Sequence, residues 1–157
     1  MINIGFVGDI SFNDKYFNLA LKNGPFFPFL AIKPFLNNFD YLLGNLESPF
    51  IYDKNINTPF PSKTPLKALP DYAFSLKNAG FKTLNLSNNH ILDYGDIGVN
   101  QTIKVLEQAG IQYFGYGKNI EEAKAVKSFF VGDIKFGVIG YTDLKIDSPF
   151  YANKNQH

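Results

Sequence analysis

Two stretches 30 residues apart carry the same signal. Leu76-Lys77-Asn78-Ala79-Gly80-Phe81 and Leu106-Glu107-Gln108-Ala109-Gly110-Ile111 each close a helical pattern, stop at a glycine and enter an apolar strand. That spacing is the size of one βα unit. Parallel neighbours joined this way cross over right-handed, so the middle of the chain is a parallel βαβαβ segment. The helix before Gly80 has Pro70 and Asp71 in its first turn and the apolar face Leu69, Ala73, Leu76, both start signals with a mechanism. The helix before Gly110 opens at Asp96 and shows Val99, Ile103 and Leu106.

The remaining elements attach to that segment. Ile2, Ile4 and Phe6 alternate with Asn3, Gly5 and Val7, and the run stops at Gly8-Asp9, which reads as a first strand with Asp9 at its carboxyl end. Residues 15 to 40 are aromatic and broken by Pro25, Pro28 and Pro34, with helices expected at Tyr16 to Lys22 and around Phe35 to Asn38. Tyr41 to Leu46 is a second short strand, ended by Glu47-Ser48-Pro49. Residues 52 to 68 hold several asparagines and prolines without periodicity, a loop of functional length that reads as a lid or a substrate-facing excursion. The third strand begins near Thr83, and Tyr113 to Gly117 is the fourth strand with its turn. Asn119 caps a short helical piece through Glu121, Glu122 and Ala123. Phe129 to Val131, Gly132-Asp133 and Ile134 to Tyr141 read as a hairpin with a tight turn. The expected fold is α/β, with a mixed, mainly parallel sheet and flanking helices. Lys145 to His157 is polar and expected to fray.

Composition narrows the function classes. A chain of 157 residues suits one domain. Its 15 basic and 14 acidic residues leave a formal charge of +1 and are well mixed, so no basic stripe argues for nucleic acid. The 17 phenylalanines and 9 tyrosines are interleaved with leucine and isoleucine, which assigns them to the core before base stacking. The absence of cysteine removes a disulfide framework, a thiolate nucleophile and a sulfur-ligated zinc site. No basic leader precedes the first strand and no apolar run is long enough to span a bilayer, so a cytoplasmic location is expected.

Three apolar runs end in Gly8-Asp9, Asn45-Leu46-Glu47 and Asn88-Asn89-His90. If these strands are parallel neighbours, their carboxyl ends share one edge, where open α/β folds bind ligands. Asp9, Glu47, Asn89 and His90 could then reach a common ion, and oxygen ligands with imidazole suit Mn, Mg, Fe or Zn. Each residue also has a plainer use: Asp9 as a helix cap or turn acid, Glu47 as a solvated loop acid, the rest as satisfied turn residues.

The same motifs carry a resemblance. Gly8-Asp9-Ile10, Asn45-Leu46-Glu47-Ser48-Pro49 and Leu86-Ser87-Asn88-Asn89-His90-Ile91-Leu92-Asp93-Tyr94-Gly95 resemble the bacterial capsule-synthesis family of CapA type, associated with poly-γ-glutamate. Gln108-Ala109-Gly110-Ile111 followed by Gly115-Tyr116-Gly117 is similar to it as well. That family looks like a branch of the calcineurin-like metallophosphoesterases, so the resemblance implies half of an α/β sandwich. It implies Asp9, Glu47 and Asn89 as ligands of a divalent metal (Mn, Mg, Fe or Zn), and His90 as the group contacting a phosphoryl oxygen or assisting the leaving oxygen. Asp93 would orient His90, and the chemistry would be metal-assisted hydrolysis of a phosphate ester.

Two departures temper the pattern. The phosphoesterases' usual Gly-Asp is here Gly44-Asn45, and Ser11 stands where they place a histidine. The resembling families also continue well beyond this length with further histidines, whereas here the other histidine is His157. Residues 1–157 are therefore expected to form a single incomplete domain with a weakly bound metal. A second polypeptide completing the sandwich, or self-association, is expected to cover its open face. Relatives of this kind are often membrane-anchored, though no membrane segment is expected within this chain. The alternative is a non-catalytic scaffold or binding subunit, or a truncated remnant, keeping the fold without a complete metal site.

Overall fold

The computed structural model describes residues 1–12, 14–53, 55–59 and 64–143. Four strands, β1 (Ile4–Ile10), β2 (Tyr41–Leu46), β3 (Phe81–Asn85) and β4 (Gln112–Phe114), form one sheet in the order β1-β2-β3-β4. Every pairing in it is parallel, with Ile4 opposite Tyr41, Leu42 opposite Phe81 and Thr83 opposite Gln112. The α/β class and the parallel core read from the glycine-terminated repeat are thus present. The first strand runs on through Asp9 to Ile10, with a register shift between Phe6 and Asp9.

Between the strands lie α1 (Asp14–Asn23), a 3₁₀ turn at Phe27–Phe29, α2 (Lys33–Leu36), α3 (Asp71–Asn78) and α4 (Gly95–Ala109). Strands that follow one another in sequence and in space send right-handed crossovers to the same side. One apolar core results. Leu42, Leu46 and Leu84 of the sheet pack there with Leu36, Tyr72, Leu76, Val99 and Leu106 from the helices. Phe12 stacks on Tyr72 with ring centroids 4.4 Å apart. The two glycines of the repeat have φ of 104° at Gly80 and 65° at Gly110, left-handed values that a Cβ disfavours. Gly110 is the C-cap of α4, its N–H returning to the last turn.

The opposite face of the sheet carries Ile4, Tyr41, Leu43 and Phe114, and a second small core forms on it. Its cover is the antiparallel hairpin of β5 (Lys127–Val131) and β6 (Ile134–Val138), joined through Gly132-Asp133. Phe129 stacks on Tyr41 with centroids 3.8 Å apart and planes 12° from parallel. Parallel and antiparallel pairing both occur as expected, but in two sheets facing each other rather than in one. The physical reason is the vacant face. With α2, α3 and α4 packed on one side, apolar Tyr41 and Leu43 must be covered from the other, and Phe129 and Val131 do so. This arrangement is consistent with half of an α/β sandwich.

Asn119 caps α5 (Ile120–Ala123) by accepting the Glu122 N–H at 2.9 Å. Among the described residues no helix is long and apolar enough to cross a membrane. The segment Lys145 to His157 lies outside the described residues.

Candidate functional site

The carboxyl ends of β1, β2 and β3 lie side by side, Asp9 opposite Asn45 and Asn45 opposite Asn85. The loops leaving them are pinned by backbone bonds. Glu47 N–H donates to Ile10 O at 3.1 Å, and Phe12 N–H donates to the buried Ser48 Oγ at 2.8 Å. Asp9, at the end of its strand, is exposed, while Glu47, Asn89 and His90 are half-buried. Asp9 and Glu47 thus end adjacent strands, and Asn89 and His90 sit in the loop that leaves β3.

Side-chain amides join these ends. Asn45 Nδ2 donates to Asp9 Oδ1 at 2.7 Å, and Asn85 Nδ2 donates to Asn45 Oδ1 at 3.0 Å. Asn88 Nδ2 reaches Leu46 O at 2.8 Å and Asn45 Oδ1 at 3.2 Å. The Asn88 Oδ1 accepts the N–H groups of His90 and Ile91, each at 3.0 Å, a local turn that an asparagine side chain makes readily.

His90 Nδ1 lies 2.9 Å from Asp93 Oδ2, and Asp93 is buried. The same Asp93 oxygen accepts the Leu66 N–H at 2.7 Å, while Thr58 Oγ1 donates to the Asp93 carbonyl at 2.6 Å. The excursion after β2 therefore returns to the acid beside His90. Its base is closed by a bridge between Phe50 and Ala68, and Phe50 N–H donates to the buried Thr102 Oγ1 at 2.9 Å. Residues 54 and 60–63 of the excursion are outside the described set.

The electrostatics tie Glu47 to the others. Burial pushes its carboxyl above the ordinary value of 4.5, the negative charge of Asp9 adds to this, His90 pulls it back, and Asp93 raises it again. The groups at these strand ends are two carboxylates and an imidazole whose Nδ1 is engaged by Asp93, with the Asn89 amide in the loop beside it. Carboxylate oxygens with imidazole are the ligand types that Mn, Mg, Fe or Zn take. Yet among the described residues no three His, Asp or Glu side chains close into a group that could hold a metal.

Sequence reasoning singled out Asp9, Glu47, Asn89, His90 and Asp93, and missed Asn45, Asn85, Asn88 and the Leu66 N–H. The signal for Asn88 was available, because an asparagine two residues before His90 can accept its N–H. The Asn45 and Asn85 contacts depend on strand register, which no local pattern displays.

The fold is that of a parallel α/β domain with polar side chains gathered at the strand ends, the fold class that the capsule-synthesis resemblance implied. The chain belongs to the bacterial capsule synthesis protein family PGA_cap, whose model matches residues 3–157. It is 33% identical over 138 residues to the capsule biosynthesis protein CapA of Bacillus anthracis, covering 87% of this chain and 34% of that protein. It is 28% identical over 156 residues to the PGA biosynthesis protein CapA of Bacillus subtilis (strain 168), covering 99% of this chain and 40% of the relative. An uncharacterized Sinorhizobium fredii protein, y4uA, is 30% identical over 121 residues, 75% of this chain and 26% of its own length. The chain thus spans between about a quarter and two fifths of these relatives.

Proposed function

We propose that this chain serves bacterial capsule biosynthesis, with poly-γ-glutamate as the polymer, as the acid-bearing part of a cation-assisted, phosphoesterase-like centre. The observation that supports this reading is that Asp9 and Glu47 close adjacent strands while the charges of Asp9, His90 and Asp93 all bear on the Glu47 carboxyl. Asp9, Glu47 and Asn89 would hold a divalent cation (Mn, Mg, Fe or Zn), which when bound supplies Lewis-acid polarisation and a water of lowered pKa. His90 has its Nδ1 engaged by Asp93, which leaves Nε2 to stabilise developing charge or deliver a proton to the leaving oxygen. Burial of Asp93 and its bond from Leu66 hold that imidazole in one orientation.

The test is hydrolysis of bis(p-nitrophenyl) phosphate by the purified chain with added manganese. The expected result is manganese-dependent turnover that falls by about 100-fold or more in Asp9→Ala and His90→Ala. A second reading, a scaffold or binding subunit that keeps the fold, draws support from the missing three-ligand cluster among the described residues. Folded protein with no bound manganese and no turnover decides for it; a truncated remnant would instead be poorly soluble and aggregate.

The domain is read as incomplete alone, to be completed by a second polypeptide or a second copy. Phe6, Phe130 and Ile134 are 70%, 65% and 52% exposed on and beside the hairpin, and their apolar surface supports that reading. Sedimentation of the same sample as a strictly monomeric species at high concentration would remove the second-copy form of it.

A further inference from the structure

The amides at the strand ends have a direction, and the backbone sets it. The N–H groups of His90 and Ile91 both point at one end of the Asn88 side chain, which must therefore be its oxygen. The Asn88 NH₂ is then turned to Leu46 O and to Asn45. Independently, the Ser87 N–H donates to Asn85 at 3.1 Å, fixing that end as Oδ1 and turning the Asn85 NH₂ to Asn45 at 3.0 Å. Two donors arriving at one end of Asn45 make that end an acceptor. Its other end is a donor, and it lies 2.7 Å from Asp9 Oδ1.

Packing locks the far end of this relay. A Cβ on Gly115 would stand 2.6 Å from the Ser87 Cβ and 2.8 Å from Asn85 Oδ1. A Cβ on Gly140, just beyond β6, would collide with the same Asn85 oxygen. The Asn85 amide is thus held between two glycine backbones, one from the turn after β4 and one from the segment that follows β6.

We propose that Asn45 is a positioning residue, an amide that commits one oxygen of Asp9 to the protein, leaves the other for a ligand, and couples Asp9 to the His90 loop through Asn88. An aspartate at position 45 could not do this, since a carboxylate offers Asp9 no donor at neutral pH. The gain is orientation without added negative charge beside Asp9 and Glu47. The ligand half of this inference rests on reading the rim as a cation site; the coupling half rests on geometry alone.

Two measurements on the 157-residue chain separate these halves. In the first, ¹⁵N-labelled wild type is compared with Asp9→Ala without metal. Asp9 is exposed, so this variant is expected to keep the fold. The Asn45 side-chain NH₂ and the backbone amides of His90 and Ile91 are expected to shift, and the response at His90 and Ile91 to vanish when Asp9→Ala is made in an Asn45→Leu background. Amides that stay still in wild type, or that respond equally in both backgrounds, overturn the coupling. Should Asn45→Leu not fold, the wild-type comparison alone decides. The second measurement is Mn²⁺ binding by electron paramagnetic resonance, with Mn²⁺ alone as the probe. Asn45→Leu is expected to weaken it by about 10- to 100-fold, the usual effect of losing a partner that orients a ligand. Unchanged affinity in folded Asn45→Leu overturns the positioning role. A wild type that binds no Mn²⁺ overturns the cation reading and leaves the first measurement to judge the relay.

Discussion

Glu47 is the residue whose environment is most at odds with its charge. Its carboxyl is held above 4.5 by burial first and by Asp9 next, so the folded chain binds that proton more tightly than the unfolded chain does. Stability from this group is fully present below its unfolded pKa and is lost as pH rises through the folded value. Glu47→Gln removes the ionisation. With EDTA present, the variant is expected to be more stable than wild type at pH 7 to 8, the difference closing as pH falls below about 4. Urea midpoints across pH check this, and a wild type more stable than the variant at pH 8 would contradict the assigned environment. The residue scale is also where sequence reading fell short. The placing of Asp9 and Glu47 at strand ends was legible because each follows an apolar run. The amides that join these ends were not, because Asn45 and Asn85 look like ordinary strand-end residues until register sets them opposite each other.

At the scale of elements, the glycine-stopped repeat says most. Gly110 ends α4 at φ 65°, and in the left-handed region a Cβ costs about 1–2 kcal/mol. Gly110→Ala is expected to lose about that much stability in urea unfolding, while the backbone amide resonances of the His90 loop stay in place because the cap lies at the far end of the helix. The second strand was legible to the residue, Tyr41 to Leu46, because its apolar run is bounded on both sides by polar residues. The Gly132-Asp133 turn and the Asn119 cap were also legible, each resting on chemistry local to a few residues. The hairpin's sheet was not legible. Whether two strands join an existing edge or cover a face depends on which face the helices have already taken, a decision made by the whole fold.

At the scale of the molecule, the two cores differ in size and in what holds them. The helical side buries a broad cluster, whereas the hairpin side rests on Leu43, Phe129 and Val131 with Tyr41 and Phe136 stacked beside them. Phe129→Ala removes the ring between Tyr41 and Phe136 and is expected to cost about 3–5 kcal/mol of the hairpin's attachment. Hydrogen exchange should then quicken across β5 and β6 well before it quickens in β2 or β3. Equal loss of protection in both sheets would mean that the hairpin is no separate unit.

The consecutive strand order has a temporal consequence. Because every strand docks on the one made just before it, the sheet can be laid down in the order of synthesis, with no gap left for a later strand to enter. Asp9 meets Asn45 36 residues later in the chain, and Asn45 meets Asn85 after 40 more. At ribosomal speed those intervals are a few seconds each. The emerging chain would expose its acid first, gain the amide that aims it next, and acquire the imidazole last.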